Sequence, residues 1–247
     1  MQPIFTLTLR ALARSRRVLV VAALLAVPVL LALVYVASEG KSQGENFVVQ
    51  LFVTLVMPIL LPLTALIFAT SALGGEVEDR TLSYITLRPV SRLAIIVAKL
   101  LASTLITTVL VEVALIATYF LGTQGTGNSQ NLGAILLAGL FGCLAYSSGF
   151  LLLGLWLPRR GLLVGFLYVL FWEGIFSQLS TGLATFSVRR YVEGALNGNL
   201  TPSALAASTQ ASPAVDVGGT ASLIVLACVL LAGILVATWK LQRMELP

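Results

Sequence analysis

The stretch Gly74–Lys99, GGEVEDRTLSYITLRPVSRLAIIVAK, is the longest charge-bearing interruption of an otherwise apolar sequence. An apolar run flanks it on each side, and each run is long enough to cross the hydrocarbon core of a bilayer, about 30 Å thick, as a helix. The stretch is therefore predicted to be a polar elbow at one membrane face, joining two transmembrane helices.

The composition of the whole chain agrees with a membrane location. Of its 247 residues, 58% are hydrophobic and 10% are charged, whereas soluble domains average about 25% charged residues. The sequence contains no histidine, which excludes histidine-based catalytic triads and the usual histidine-containing zinc sites. The two cysteines, Cys143 and Cys228, lie inside apolar runs and are predicted to be packed thiols.

Six apolar runs predict an all-α integral membrane protein with one transmembrane domain over residues 1–247. Pro28 in the first run, and Pro58 and Pro62 in the second, predict bends or tilt. The pair Gly74-Gly75 is predicted to end the second helix. The predicted spans are about 18–37, 47–73, 95–121, 132–157, 162–179 and 220–239.

Residues 3–16 are predicted to form an amphipathic helix lying in the membrane interface. An apolar stripe and a basic stripe both recur with helical spacing, on different faces. The apolar run that follows is longer than a signal-peptide core, so a retained first span is expected. The two stripes consist of Phe5, Leu9 and Leu12, and of Arg10, Arg14 and Arg17.

The distribution of basic residues predicts the orientation of the chain. With six spans both termini lie on one side, and that side carries twelve of the fifteen lysines and arginines. Since basic loops stay in the cytoplasm, we expect cytoplasmic termini in a bacterial inner membrane, and the region 180–219 outside the cell. The three basic residues on the outer side are Lys41, Arg189 and Arg190.

Residue types and their spacing predict a short helix inside the elbow, over residues 76–88. Glu76 and Arg80 lie four residues apart in the favourable orientation, a pair worth a few tenths of a kcal/mol (about 0.2–0.5). Pro89 ends the helix because the residue before a proline avoids α geometry. Ser91 is placed to cap the helix that follows.

The elbow resembles the loop between spans 2 and 3 in permease subunits of type-two ABC (ATP-binding cassette) exporters. That loop commonly runs Glu-x-Glu-x-Gly-Thr-Leu, then Pro-x-Ser-Arg, then Gly-Lys. Arg80 and Ala98 stand where glycine is usual in the family. The matching residues are Glu76, Glu78, Thr81, Leu82, Pro89, Ser91, Arg92 and Lys99.

The resemblance implies a type-two ABC exporter permease-like fold in which segment 76–88 is a cytoplasmic coupling helix. Such a helix docks in a groove of a separate ATPase subunit, so this chain is expected to be non-catalytic. The residues expected to couple to the ATPase are Glu76, Glu78, Asp79, Arg80, Thr81, Leu82, Ile85, Pro89 and Arg92.

The chain itself is not expected to bind a cofactor. Gly40-Lys41-Ser42 imitates the end of a phosphate loop, but Tyr35 stands where the motif requires glycine. ATP and Mg²⁺ are therefore assigned to the partner. The resemblance implies two ATPase copies and a second permease copy, identical or different. An extracytoplasmic partner at 180–219 stays open, and the substrate is not specified.

A second likeness lies near the outer face. Trp172-Glu173, followed by Ser187, Arg189 and Tyr191, is similar to a pattern in small bacterial members of the same family. Arg189, Arg190 and Tyr191 are accordingly expected at the outer face. Spans 2 and 5 line the transport route in that family, which suggests as lining residues Pro58, Pro62, Phe166 and Phe171.

Two carboxylic acids, Glu112 and Glu173, fall inside predicted spans, where an unpaired charge costs several kcal/mol (about 2.5–3.5 on insertion scales). Each has two interpretations. Either side chain could bind a proton or cation, which gives the alternative function of an ion-coupled transporter or channel. Either could instead be structural, and Arg189 or Arg190 would then be the outer partner of Glu173.

Overall fold

A computed structural model describes residues 2–39, 43–78, 91–175, 185–212 and 217–243, and its regular elements are all helical. Two segments are π-helices and are called π1 and π2. The elements are α1 Gln2–Ala13, α2 Arg16–Glu39, α3 Gly44–Leu51, π1 Phe52–Leu60, α4 Leu61–Glu78, α5 Arg92–Thr123, α6 Ser129–Trp156, α7 Gly161–Leu167, π2 Tyr168–Ile175, α8 Val188–Asn197, α9 Pro202–Ala211 and α10 Gly219–Arg243.

Five of the described helices are long and apolar enough to cross a membrane, and a shorter apolar helix covers Gly161–Ile175. This is the architecture of an all-α, multi-pass membrane protein. The short helix coincides with the fifth predicted span, whose expected end at 176–179 lies outside the described residues. The five long helices are Arg16–Ser38, Gly44–Gly74, Arg92–Thr123, Ser129–Trp156 and Gly219–Arg243.

The second span is one continuous helix built from α3, π1 and α4. Pro58 lies within π1, where it cannot donate the usual backbone hydrogen bond, and the helix widens there instead of breaking. The predicted break at Gly74-Gly75 is wrong, because α4 continues to Glu78. Gly74 packs close to the backbone of Gly154 on α6, so the missing side chain serves close packing of two helices.

The amphipathic N-terminal segment forms α1, which packs on α5. Leu12 is buried and Leu9 half-buried, whereas Arg10 and Arg14 are exposed. The helix ends at Ala13, three residues before the predicted end. The exposed basic side chains thus lie on the opposite face from the apolar contact.

The core lies between α4, α5 and α6, where large apolar side chains such as Phe52 and Phe68 are fully buried. Helices α2 and α10 flank this core, and each of them exposes an apolar face on the outside of the chain. Leu19 on α2 is 72% exposed and Leu235 on α10 is 66% exposed. In a bilayer such apolar faces contact lipid or another membrane helix.

The Gly161-x-x-x-Gly165 pair at the start of α7 is used for packing inside the chain. A Cβ atom on Gly165 would collide with Leu66 of α4, and one on Gly161 would lie 3.2 Å from the Leu153 carbonyl of α6. The two glycines therefore let α7 approach α4 and α6 closely.

The region predicted as an outer loop, 180–219, contains two helices. The sequence also predicts a short helix around residues 188–196; α8 lies there and packs on α6 and α10. The other, α9, was not predicted and packs on α3. Together they form a packed cap over one end of the spans.

Candidate functional site

The end of the fold that carries the elbow is fastened to three spans. Ser91 caps α5 by accepting a hydrogen bond from Ala94 N, at 3.3 Å. Arg92 Nη1 donates to the carbonyl of Leu241, at 2.6 Å. Because Leu241 lies in the last turn of α10, this bond satisfies a carbonyl that has no partner within its own helix.

Lys99 makes the second cross-connection at this end. Its side chain is 0% exposed, and Nζ donates to the carbonyl of Ala72 on α4, at 2.8 Å. A buried ammonium group needs such partners to offset its lost hydration. The charge of Lys99 is therefore held inside the helix packing rather than at the water interface.

The predicted coupling residues divide into described and undescribed ones. Glu76 and Glu78 lie in the last turn of α4, not at the start of a separate helix as expected. The remaining members, apart from Arg92, lie outside the described residues, as does most of the helix predicted over 76–88. They are Asp79, Arg80, Thr81, Leu82, Ile85 and Pro89.

At the opposite end of the spans, the carboxylate of Glu173 is fully buried and accepts four hydrogen bonds. Two come from side-chain hydroxyls: Tyr168 at 2.7 Å and Ser187 at 2.5 Å. Two come from the backbone N–H groups of Val188 and Arg189, both at 3.3 Å. Those two residues begin α8, so a carboxylate from π2 caps the N-terminus of α8, where the helix dipole favours negative charge.

Arg189 lies beneath this cap and joins the two π-helices. Its guanidinium group donates to the carbonyl of Glu173 in π2, at 3.5 Å, and to the carbonyl of Val53 in π1, at 3.3 Å. The side chain is only 3% exposed. The polar groups of π1, π2 and α8 therefore surround it, and its expected place on the outer side of the membrane stays a prediction.

The two neighbours of Arg189 are less enclosed. The Arg190 guanidinium lies 3.5 Å from Thr185 Oγ1, and the Tyr191 hydroxyl donates to the Thr185 carbonyl at 2.9 Å. Glu173, Ser187 and Arg189 of the Trp-Glu and Ser-x-Arg-x-Tyr pattern thus meet in one cluster, although 14 to 16 positions separate the glutamate from the other two.

A polar network at the same end was missed in the sequence. Glu45, at the start of α3, lies 2.6 Å from the Tyr119 hydroxyl and accepts a hydrogen bond from Asn131 Nδ2 at 2.9 Å. Asn131 also accepts from the backbone N–H of Thr201, at 2.8 Å. The network ties α3, α5 and α6 to the segment before α9. The one available signal was an acid beside an apolar run, which does not reveal its partners.

The proposed lining residues differ in where they face. Pro58 and Pro62 are buried inside the chain, whereas Phe166 and Phe171 are 41% and 53% exposed.

Between α3 and α9 lies an open cavity of about 340 Å³ with several uncharged polar side chains on its wall. Its lining residues are Tyr35, Gln43, Asn46, Phe47, Gln50, Ser203, Ala206, Ala207 and Gln210.

The carboxyl oxygens of Glu112 are buried like those of Glu173, but the groups around them are different. It lies on α5 and faces Gly139 of α6. Neither of its oxygens has a hydrogen-bond partner among the described residues. Glu173 is thus built into the fold by identified donors, whereas Glu112 is not.

The comparison with curated proteins gives no match. A family model described as "ABC-2 family transporter protein" matches residues 12–171, which is more than half of the chain and extends from the end of α1 into π2. This chain therefore belongs to the ABC-2 transporter family and is a permease of the ABC transporter class.

Proposed function

We propose that this chain is the membrane subunit of an ATP-driven exporter and passes the motion of a separate ATPase to the transported substrate. The observation that carries the proposal is the anchoring of the elbow. Arg92, the first residue of α5, is bonded to the end of α10, and Lys99 bonds α5 to α4. A force applied at the elbow would therefore act on three spans together.

The working assembly in this proposal has two ATPase subunits and two permease copies. The elbow and both termini face the cytoplasm of a bacterial cell, which is supported by the twelve basic residues on that side. ATP binding draws the ATPases together, and the elbows tilt the spans from an inward-facing to an outward-facing state. The exposed aromatic face of Phe166 and Phe171 is the proposed wall of the route between the copies.

Purification in mild detergent with the products of neighbouring reading frames tests this proposal. We expect a phosphate-loop ATPase to elute with the chain at one copy per permease and to hydrolyse ATP. Liposomes that contain the chain alone provide the control. Ion- or proton-driven transport without any ATPase would contradict the proposal and favour the alternative of an ion-coupled transporter.

Arg92→Gln is expected to reduce ATP-driven transport while the ATPase still binds and hydrolyses ATP. The substitution removes a charge-assisted hydrogen bond between α5 and α10, worth about 1.5–3 kcal/mol, and thereby loosens one connection of the elbow. Transport per ATP hydrolysed, measured in proteoliposomes, is expected to fall by roughly 10-fold or more.

Arg243→Gln is the matched control, because Arg243 is exposed at the end of α10 and stacks on Trp239, 4.2 Å from the ring centre. It should keep normal coupling. Equal losses in the two variants would show that the Arg92 bond has no special part in coupling.

A further inference from the structure

Helices α5 and α6 are consecutive and antiparallel, and three pairs of residues face each other across their contact. A Cβ atom on Gly139 would lie 2.9 Å from Glu112 Oε1. One turn away, the thiol of Cys143 lies beside the Thr108 hydroxyl and the Glu112 carboxyl. The same spacing, continued by one more turn, places Thr104 opposite Ser147.

The oxygen atoms along this contact share an unusual property. They are buried and, apart from the Cys143 thiol beside the Thr108 hydroxyl, have no hydrogen-bond partner among the residues that the structure describes. Threonines on other faces of α5 behave differently: Thr107 and Thr118 donate to carbonyls four residues earlier, at 2.9 and 2.7 Å. The unpartnered atoms are Oε1 and Oε2 of Glu112 and the hydroxyl oxygens of Thr104, Thr108 and Ser147.

Leaving so many polar atoms without partners would cost about 1–3 kcal/mol each. Proteins normally satisfy such groups with ordered water. An ionised carboxylate in the same position would cost far more unless a cation lay beside it. The titratable group that faces Glu112 across the contact is Cys143, which supplies no positive charge.

The other helices packed on α5 carry their charged residues at their ends. α1 contributes Arg10, α2 begins with Arg16 and Arg17, and α3 begins with Glu45. α4 ends with Glu76 and Glu78, and α10 ends with Lys240 and Arg243. Lys99, on α5 itself, is more than three turns from Glu112 and bonds to α4. None of these described residues is placed to neutralise Glu112.

We propose that Glu112 is a proton-binding site, holding a neutral carboxyl at neutral pH at the end of a file of ordered water along Thr108, Thr104 and Ser147. Proton uptake converts the carboxylate and a hydronium ion into a carboxyl group and water. This site lies within one permease copy, and it does not depend on the proposed coupling function.

A proton fits this contact better than a metal cation. Successive polar positions on α5 are four residues apart, which is about 6 Å along the helix axis. One ion could therefore not touch oxygens from two turns, and hard cations require about six or more oxygen ligands. Gly139, which faces Glu112, has no side chain to add one.

Infrared spectroscopy of the purified, lipid-reconstituted protein tests the proposal. The wild type should show the carbonyl stretch of a protonated carboxyl at neutral pH, and the band should shift in D₂O. Glu112→Gln, which keeps the size of the side chain, should remove the intensity of one carboxyl. Burial raises the pKa of the Glu193 carboxyl on α8, so any band from Glu193 is common to both samples and cancels in the difference spectrum.

Glu45→Gln is the matched control and should leave the band unchanged, because the Glu45 carboxylate has several hydrogen-bond donors. Thr108→Val retains Glu112 and should change the frequency of its band by removing the nearest hydroxyl of the file. An unchanged spectrum in Glu112→Gln would overturn the proposal. A wild-type band that disappears on addition of Na⁺ at constant pH would overturn it in favour of a cation site.

Discussion

Glu173→Ala is expected to destabilise the permease severely and to lower the yield of folded protein. The substitution removes the acceptor of four hydrogen bonds and leaves the N-terminus of α8 uncapped. It also removes negative charge from beside the buried guanidinium of Arg189. A buried donor left without its acceptor costs about 1–3 kcal/mol, so the loss of several together is a large part of the 5–15 kcal/mol that typically stabilises a domain.

The Glu173→Gln variant separates the charge of this side chain from its shape. The four groups named above act as donors toward Glu173, and an ionised carboxylate is an acceptor at both oxygens. Glutamine fills the same space but turns an N–H₂ group toward two of those donors. We therefore expect glutamine to destabilise the protein too, by less than alanine does.

Thermal unfolding in detergent, followed by loss of the monodisperse peak in size-exclusion chromatography, measures these effects. Arg190→Gln is the matched control, since the neighbouring Arg190 has only a 3.5 Å contact with Thr185, and it should shift the midpoint little. A Glu173→Ala protein with wild-type stability would contradict the structural role of the carboxylate.

The contrast between Glu112 and Glu173 shows what sequence can supply for a membrane site. Hydropathy locates both acids inside apolar runs and predicts that each is costly there. It does not reveal whether donors arrive, because three of the four named donors to Glu173 come from residues 14 to 16 positions later, at the start of a helix that returns to the spans. The sequence around Glu112 is equally apolar, but the residue that faces it, Gly139, has no side chain that could donate a hydrogen bond.

The helical architecture was predictable because run length and composition determine it. Each long apolar run became a helix within a few residues of its expected bounds, and Ser91 caps α5 as its type and position indicate. The Gly74-Gly75 pair misled because a glycine in a membrane helix often marks close packing rather than an end. The π-helical shape of π1 and π2 was likewise not predicted, because hydropathy does not distinguish a π-helix from an α-helix.

Glu78→Lys is expected to uncouple ATP hydrolysis from transport, with little effect on insertion or folding. In the proposed assembly, Glu76, Glu78 and Arg80 make polar contacts with the ATPase, and reversal of one charge replaces an attraction by a repulsion. A charge-assisted contact is worth about 1.5–3 kcal/mol, so productive docking should weaken by roughly 10- to 100-fold. Transport and ATPase activity measured together in proteoliposomes give the coupling ratio.

The position of Glu78 makes this substitution a discriminating one. Glu78 lies in the last turn of α4, where the helix dipole disfavours a carboxylate and favours lysine by about 0.3–1 kcal/mol. The substitution should therefore leave α4 at least as stable, so that a loss of coupling is not a loss of folding. Glu39→Lys makes the same charge change at the end of α2, on the proposed outer side, and should keep wild-type coupling. If Glu78→Lys also couples normally, its carboxylate has no part in docking the ATPase.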